Sequence, residues 1–427
     1  MHLKKRSAQP IQPPFFYGWV IVASGAGSMA LGSALLFHAF GAYVVLLQDE
    51  FGWSRTTLAL AFAMQRVESG LLGPVDGWLV DRFGPRKMML LGVVIFGIGF
   101  MIFSQIQTLF GFYVAFLVMA FGNALGSFLP ASVAVVNWFI RKRTTALALM
   151  MLGLAAGGLV QPVIATGLES IGWRNMAFIS GIIMIVVGVP LATLLRHHPE
   201  DSGWQPDGIR SQSQLITDAS DATEPVQQNE EINFTAIQAL KTRAFWYIGI
   251  GHSLSLLVMG AINVHLIAHL HESLGFSLTV AASMITVMTL TQVVGQLAGG
   301  VLGDRFDKKW LIVAVMFINA ASLMILAFAA HIWLIIIFAI LNGATFGARI
   351  PLTTSIRADY FGGKFYGTIT GFSSVLAMWG MIFGPLIAGG SYDLLGSYTP
   401  GFIMLSLLAG LGSVIFCFVQ TPETPKG

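Results

Sequence analysis

Three charged side chains interrupt long apolar stretches of this sequence: Arg66, Glu68 and Arg349. A charge at the centre of a membrane helix costs at least ~2.5–3.5 kcal/mol on insertion scales, so such residues are expected to be paired or functional. Arg66 and Glu68 are two positions apart, about 200° around a helix, and therefore face different neighbours. Two arginines against one glutamate leave one positive charge without a counter-ion. This pattern indicates a site for a small monoanion, with Arg349 as its main cation and Arg66 assisting.

Uncharged polar side chains in other apolar stretches supply further candidates. Gln292 and Gln296 can hydrogen-bond a substrate, but they supply neither charge nor a proton. Histidine titrates near neutral pH, which suits proton coupling, although a histidine bonded to a nearby backbone group is the simpler alternative. His38 and His265 are additional candidates for substrate contact. The candidates for proton coupling are Glu68, His38, His252 and His265.

Composition predicts the elements that position these residues. Of 427 residues, 55% are hydrophobic and 10% are charged, and the mean hydropathy is +0.76. A soluble domain carries about 25% charged residues, so lipid must be the main solvent of this chain. A helix needs ~20 mostly apolar residues to cross a bilayer. The sequence therefore predicts an all-α polytopic membrane protein with twelve spans, beginning near Trp19, Thr56, Met88, Leu109, Ala146, Met176, Phe245, Leu278, Leu311, Trp333, Thr368 and Tyr398.

Arginine and lysine residues predict the orientation of these spans. They concentrate in loops on one side, and the opposite side receives only Arg55 and Arg174. The positive-inside rule then places both termini in the cytoplasm, which requires an even number of spans. We expect an integral protein of the plasma (inner) membrane.

A polar, acidic stretch around Gln212–Glu231 divides the spans into six and six. Its low apolar content predicts a cytoplasmic linker that is partly disordered. The expected organisation is an N-terminal tail, a six-helix bundle, the linker, a second six-helix bundle and a C-terminal tail, with bounds 1–16, 17–195, 196–242, 243–420 and 421–427.

The two halves repeat in sequence. Gly77 and Asp81-Arg82-Phe83 recur as Gly300 and Asp304-Arg305-Phe306, at a constant offset of 223 residues. Parallel repeats imply a pseudo-two-fold axis along the membrane normal and a substrate site at the midplane between the halves. The repeat does not reproduce the buried charges, which favours a function for them over a requirement of the fold. The counterparts of Arg66, Glu68 and Arg349 are Thr289, Thr291 and Phe128.

An internal salt-bridge network that joins helices, with Arg349 paired to Glu68, is the alternative to an anion site. Gly70 and Gly73 share a helix face with Arg66 and Gly77, which predicts that this face packs closely against another helix.

The loop after the second span, Gly77 to Lys87, contains a recognisable set of residue types. A glycine permits close helix approach, an acid can cap a helix N-terminus, and Gly84-Pro85 predicts a tight turn. Two basic residues follow, at the level of the anionic inner leaflet. The residues of this motif and its second copy are Gly77, Asp81, Arg82, Gly84, Arg86, Lys87, Asp304 and Arg305.

This pattern resembles the loop motif of the major facilitator superfamily. Within it, Tyr17-Gly18-Trp19 and Asn137-Trp138-Phe139 resemble the monocarboxylate-transporter and oxalate/formate branch. The resemblance implies alternating access by rocking of two halves, with the first, fourth, seventh and tenth spans lining the cavity. It also implies that the motif is a conformational latch, in which Asp81 pairs with another cytoplasmic helix end. Many monocarboxylate transporters carry an acid and an arginine four apart in the eighth span, where this chain has Gln292 and Gln296.

The leading interpretation is a secondary active transporter of a small organic anion, a monocarboxylate, with a proton as the candidate coupling ion in symport. Two alternatives remain: an exporter of hydrophobic compounds or drugs, and a non-transporting membrane sensor or partner-binding protein. An enzyme is not expected, because the sequence has no nucleophile elbow, phosphate-binding loop or metal-ligand spacing. We expect a monomer in the lipid bilayer, with no cofactor, no metal and no nucleic-acid partner.

Overall fold

A computed structural model describes residues 15–208 and 233–424 of the chain. Within these ranges it forms helices and turns and no β-strand. Twelve long helical units follow one another, each beginning within three residues of its expected start. In chain order they are α1 Gly18–Phe51, α2 Arg55–Phe83, α3 Pro85–Phe103, α4 Leu109–Trp138, α5 Arg143–Ile171, α6 Trp173–Leu194, α7 Arg243–Ser273, α8 Leu278–Arg305, α9 Lys308–Ala327, α10 Ile332–Phe361, α11 Tyr366–Leu395 and α12 Thr399–Cys417.

In the described part of the chain, eleven of these units are long and apolar enough to cross a membrane. The exception is α2, a helix of 29 residues that carries Arg66, Glu68 and Asp76 in its central part. Because α2 packs along α11 inside the bundle, its charges are placed among other helices. The predicted all-α architecture of two six-helix bundles is therefore confirmed.

The first and fourth helices change geometry midway. In α1 the residues Ser33–His38 form a π-helical turn, and α4 breaks at Ser127, whose φ and ψ are −134° and −110°. Such interruptions are frequent at functional sites because they free backbone groups and redirect side chains. Both of these interruptions lie beside the cavity described below.

Turns at equivalent positions show how the sequence repeat becomes a structural repeat. Gly52 and Gly275 both adopt positive φ, 68° and 73°, a conformation that glycine accepts at no steric cost. Two residues later, the Ser54 and Ser277 hydroxyls accept N–H groups in the first turns of α2 and α8. Each serine is an N-cap, which stabilises a helix start by about 1 kcal/mol.

The halves meet at one end of the bundle, which we call the basic end. It carries the turns that follow α2, α4, α8 and α10, together with both ends of the described chain. Its exposed cations include Arg82, Arg86, Lys87, Arg305 and Lys364.

Small residues allow α2 and α11 to approach closely near this end. A Cβ atom on Gly77 would lie 2.1 Å from the carbonyl oxygen of Gly367, and one on Gly73 would lie 2.9 Å from that of Gly371. Gly70 packs against Met378 further along the same helix pair. The predicted close packing of this glycine face is confirmed.

Both described ends of the linker fold back onto the basic end. The carboxylate of Asp207 accepts N–H groups of the turn between α4 and α5, and the Asn233 side chain accepts the N–H of Lys364 between α10 and α11. Phe234 is 2% exposed, so the linker is not uniformly polar and open. The disorder predicted around Gln212–Glu231 falls outside the described residues. So do the tail cations Lys4, Lys5, Arg6 and Lys426.

Candidate functional site

A central cavity of about 430 Å³ lies between the two halves. Seven helices contribute to its wall: α1, α2, α4 and α5 from one half, and α8, α10 and α11 from the other. The expected contributions of the first, fourth and tenth spans are present. The seventh span, residues 243–273, contributes no residue to this wall, and α2, α5, α8 and α11 contribute instead.

Arg66 provides positive charge inside the cavity. Its side chain is exposed there, and no other arginine, lysine or histidine lies among the residues of the wall. Gln65, Asn123 and Gln292 also face the cavity and carry amide groups that can donate hydrogen bonds. A guanidinium group with amides around it suits recognition of a carboxylate, because its planar fork matches two acceptor oxygens.

Asp76 lies on the cavity wall near the contact between the halves. The residue is 2% exposed, and its Oδ1 atom has no hydrogen-bond partner among the described residues. It stands ten residues from Arg66 along α2, about 15 Å on the helix axis. Asp76 is missing from the sequence-based predictions, although the repeat contained a signal for it, since its counterpart is Gly299.

Gln296 has a contact that the sequence did not predict. Its Nε2 donates to the carbonyl oxygen of Ala148 at 2.6 Å, which joins α8 to α5 across the two halves. Gln296 borders the cavity as expected, but its amide also holds the halves together.

Arg349 lies outside the cavity wall, although the neighbouring Ile350 is part of it. The Arg349 side chain is 1% exposed, and none of its three guanidinium nitrogens has a hydrogen-bond partner in residues 15–208 and 233–424. Its guanidinium carbon lies 5.5 Å from the centre of the Phe346 ring. The structure therefore does not bring Arg349 together with Arg66 in the cavity.

The alternative of a salt bridge between Arg349 and Glu68 is wrong. Both carboxylate oxygens of Glu68 are buried without a hydrogen-bond partner among the described residues, as are the Arg349 nitrogens. Glu68 lies within electrostatic range of Asp76 on the same helix and does not border the cavity. The two acids on α2 thus carry no compensating ion pair within the described chain.

The three candidate histidines have different surroundings, and none borders the cavity. The Nε2 atom of His265 lies 3.1 Å from the carbonyl oxygen of Pro385, the backbone-bonded case that was the simpler alternative. The His38 ring packs edge-on against Phe37. His252 is buried beside α10.

Asp81 contacts the start of α11. Its carboxylate accepts the N–H of Gly367 at 2.9 Å and both the N–H and the hydroxyl of Thr368, at 2.7 and 2.6 Å. A helix N-terminus presents unpaired N–H groups and the positive end of the helix dipole, so a carboxylate binds well there. The contact joins the two halves at the basic end.

The second copy of the motif makes the equivalent contact with α5. The Asp304 carboxylate accepts the N–H groups of Thr144 and Thr145 at 2.9 and 3.0 Å. These acceptor positions precede those of Asp81 by the same 223 residues that separate the two acids. Opening of the basic end requires both sets of hydrogen bonds to break.

We expect Asp81→Asn and Asp304→Asn each to weaken the closed arrangement of the basic end. Loss of the charge weakens two or three hydrogen bonds by about 1–3 kcal/mol in total, roughly a 5- to 150-fold change in the closed population. Spin labels at Lys87 and Lys364, in a Cys417→Ser background, report this as a longer electron–electron distance across the basic end. The control is Asp201→Asn at the same end, and an unchanged distance in both latch variants would contradict the expectation.

Comparison with known proteins identifies the family of this architecture. The family model of the Major Facilitator Superfamily matches residues 20–251 and 248–427. The membrane sensor protein UhpC of Escherichia coli K12 is 25% identical over 412 residues, with 93% of this chain and 91% of that protein covered. Monocarboxylate transporter 13 of Bos taurus is 24% identical, with coverage of 96% and 92%. The crystal structure of the human organic anion transporter MFSD10 superimposes with a TM-score of 0.69 at 16% identity, covering 95% of this chain and all of that one. The chain belongs to the major facilitator superfamily, as its duplicated helical halves and loop motif predicted.

Proposed function

We propose that this protein is a secondary active transporter of a small organic anion, a monocarboxylate, which binds at Arg66 in the central cavity. The observation that carries the proposal is the position of Arg66 as the one basic side chain on the wall of a cavity between two rocking halves. The volume of about 430 Å³ lies within the range of ~300–1,000 Å³ typical of small-molecule sites.

The remainder of the wall suits a carboxylate with a short apolar part. Gln65, Asn123 and Gln292 supply amide donors around the cation, while Met29 and Phe37 supply apolar surface for the carbon skeleton. The similarity to monocarboxylate transporter 13 supports the same class of substrate.

The mechanism we propose begins from the arrangement described here, in which both latch carboxylates are engaged and the basic end is closed. Binding of a carboxylate neutralises Arg66, which lowers the cost of enclosing that charge when the cavity closes. The loaded protein therefore reorients more readily than the empty one. Opening of the basic end then breaks the Asp81 and Asp304 contacts and releases the substrate on that side.

Asp76 and Glu68 are the acids we propose for proton coupling. Both lack a cationic partner, so taking up a proton removes an uncompensated buried charge. Asp76 is the stronger of the two because it borders the cavity and lies five residues from the latch residue Asp81.

The proposal is tested by uptake of labelled monocarboxylates into proteoliposomes, with and without a pH gradient. We expect saturable uptake, and for one-to-one proton symport about tenfold accumulation for each pH unit. Asp76→Asn should abolish the dependence on the gradient while exchange of the substrate continues. No uptake or exchange of any monocarboxylate would contradict the proposal.

A sensor is the second candidate, favoured by the similarity to UhpC. In that case carboxylates would raise the midpoint of thermal unfolding, through Arg66, without being moved into liposomes. Stabilisation by lipophilic cations alone would instead favour an exporter of hydrophobic compounds.

A further inference from the structure

A cluster of unpaired cationic groups lies inside the carboxyl-terminal half, away from the cavity. Arg349 and Arg357 are 1% and 7% exposed, and both are on α10, eight residues apart. His252 of α7 is buried between them and lies within electrostatic range of both guanidinium groups. None of the three borders the central cavity.

These side chains present donors with no acceptor. All three guanidinium nitrogens of Arg349, the Nε of Arg357 and the Nδ1 of His252 are buried without a partner in the described parts of the chain. Buried hydrogen-bonding groups are nearly always satisfied, so five such atoms around one cluster indicate that a partner is missing.

Neighbouring acids do not supply that partner. Asp359, on the same helix, is already bound to Arg143 at 2.7 Å and to Lys308. Asp81 and Asp304 are engaged with the starts of α11 and α5.

Electrostatics favours an anion as the missing partner over water alone. Two like charges in a low-dielectric interior repel each other and lose their hydration, and water restores hydrogen bonds without neutralising either charge. Arginine N–H groups bind any compact acceptor, and an enclosed space favours a small one.

We propose that Arg349, Arg357 and His252 form a second anion site, occluded within the carboxyl-terminal half, which holds an inorganic monoanion of the size of chloride. The site is separate from the substrate cavity and does not depend on the transported compound. It compensates the buried charge of α10 and thereby stabilises the packing of α7, α10 and α11.

The test uses the purified full-length protein in detergent, with chloride exchanged for gluconate at constant ionic strength. We expect binding of about one labelled chloride ion per chain and a saturable rise in the midpoint of thermal unfolding. The rise should be roughly 2 °C for each tenfold increase in chloride above half-saturation. An equal midpoint in the two salts together with no bound label would overturn the proposal.

Substitutions locate the ion. Arg349→Met should abolish chloride binding and the chloride-dependent stabilisation, whereas Arg66→Gln, which removes the cation of the cavity, should preserve both. In gluconate, Arg349→Met should unfold at a higher temperature than the unsubstituted protein, because it removes an unpaired buried charge. A lower midpoint there would instead show that Arg349 pairs with a protein group, and would overturn the proposal.

Two further measurements complete the assignment of the ion. If Arg349→Met does not fold, Arg357→Met provides the same comparison, with weakened chloride binding as the expected result. Acetate is run beside chloride in the unsubstituted protein, since both are monoanions. Arg349-dependent stabilisation by acetate but not by chloride would make this cluster part of the carboxylate pathway and would overturn its assignment to an inorganic ion.

Discussion

Arg66→Gln is expected to reduce carboxylate uptake by roughly 30- to 1,000-fold, because it removes the charged partner of the substrate from a partly desolvated cavity. Loss of one member of such a pair costs about 2–4 kcal/mol. Arg66→Lys keeps the charge but loses the planar fork, so an intermediate rate is expected. The effect should appear in KM and in carboxylate-dependent thermal stabilisation as well as in the rate.

The matched control is Arg243→Gln, the same exchange at an exposed position of the basic end. It should transport at the unsubstituted rate. Uptake by Arg66→Gln at more than half of that rate would remove Arg66 from the site. The anion would then have to be bound elsewhere in the protein.

Gly77→Val is expected to abolish transport by preventing closure of the basic end. An added Cβ would lie 2.1 Å from the carbonyl oxygen of Gly367 and 2.7 Å from the Cα of Thr368. These are backbone atoms of a packed helix, which cannot move aside as the end of a flexible side chain can. We expect a loss of at least about 100-fold in turnover, since the cycle cannot pass through its closed form.

A trapped conformation can be distinguished from misfolding by the distance between spin labels at Lys87 and Lys364. In Gly77→Val this distance should lengthen and become insensitive to substrate. Gly371→Val, whose added Cβ would lie 2.0 Å from the Gly73 carbonyl oxygen, should behave in the same way. Gly390→Val in α11 is the control, because no atom lies within 4 Å of its added Cβ. Normal transport by Gly77→Val would show that α2 and α11 do not need this contact.

Predictions from the repeat agreed well with the structure. The offset of 223 residues placed Asp81 and Asp304 at equivalent helix ends, and each lies at the N-terminus of a helix in the other half. Glycine spacing also predicted the close face of α2. In both cases the cause is local: a carboxylate at a helix end and small residues at helical spacing have few alternative uses.

Predictions about the charged residues agreed less well. Arg349 was expected in the cavity and lies outside its wall, while Asp76 was overlooked and lies on it. Arg357 was also overlooked, although its repeat counterpart is the apolar Val136. Comparing every charged residue with its counterpart would have found both, but it would not have told which way they face.

By itself, the sequence determined the membrane-spanning architecture, the duplication and the helix-end carboxylates of this protein. Hydrophobic length, turn glycines and N-caps act over a few residues, so they can be read along the chain. Only the tertiary structure decided that Arg66 faces the cavity, that Arg349 does not, and that α8 and α11 replace α7 in its wall. The physical reason is that each of these depends on how a helix is rotated against its neighbours. That rotation is set by packing between segments far apart in the chain.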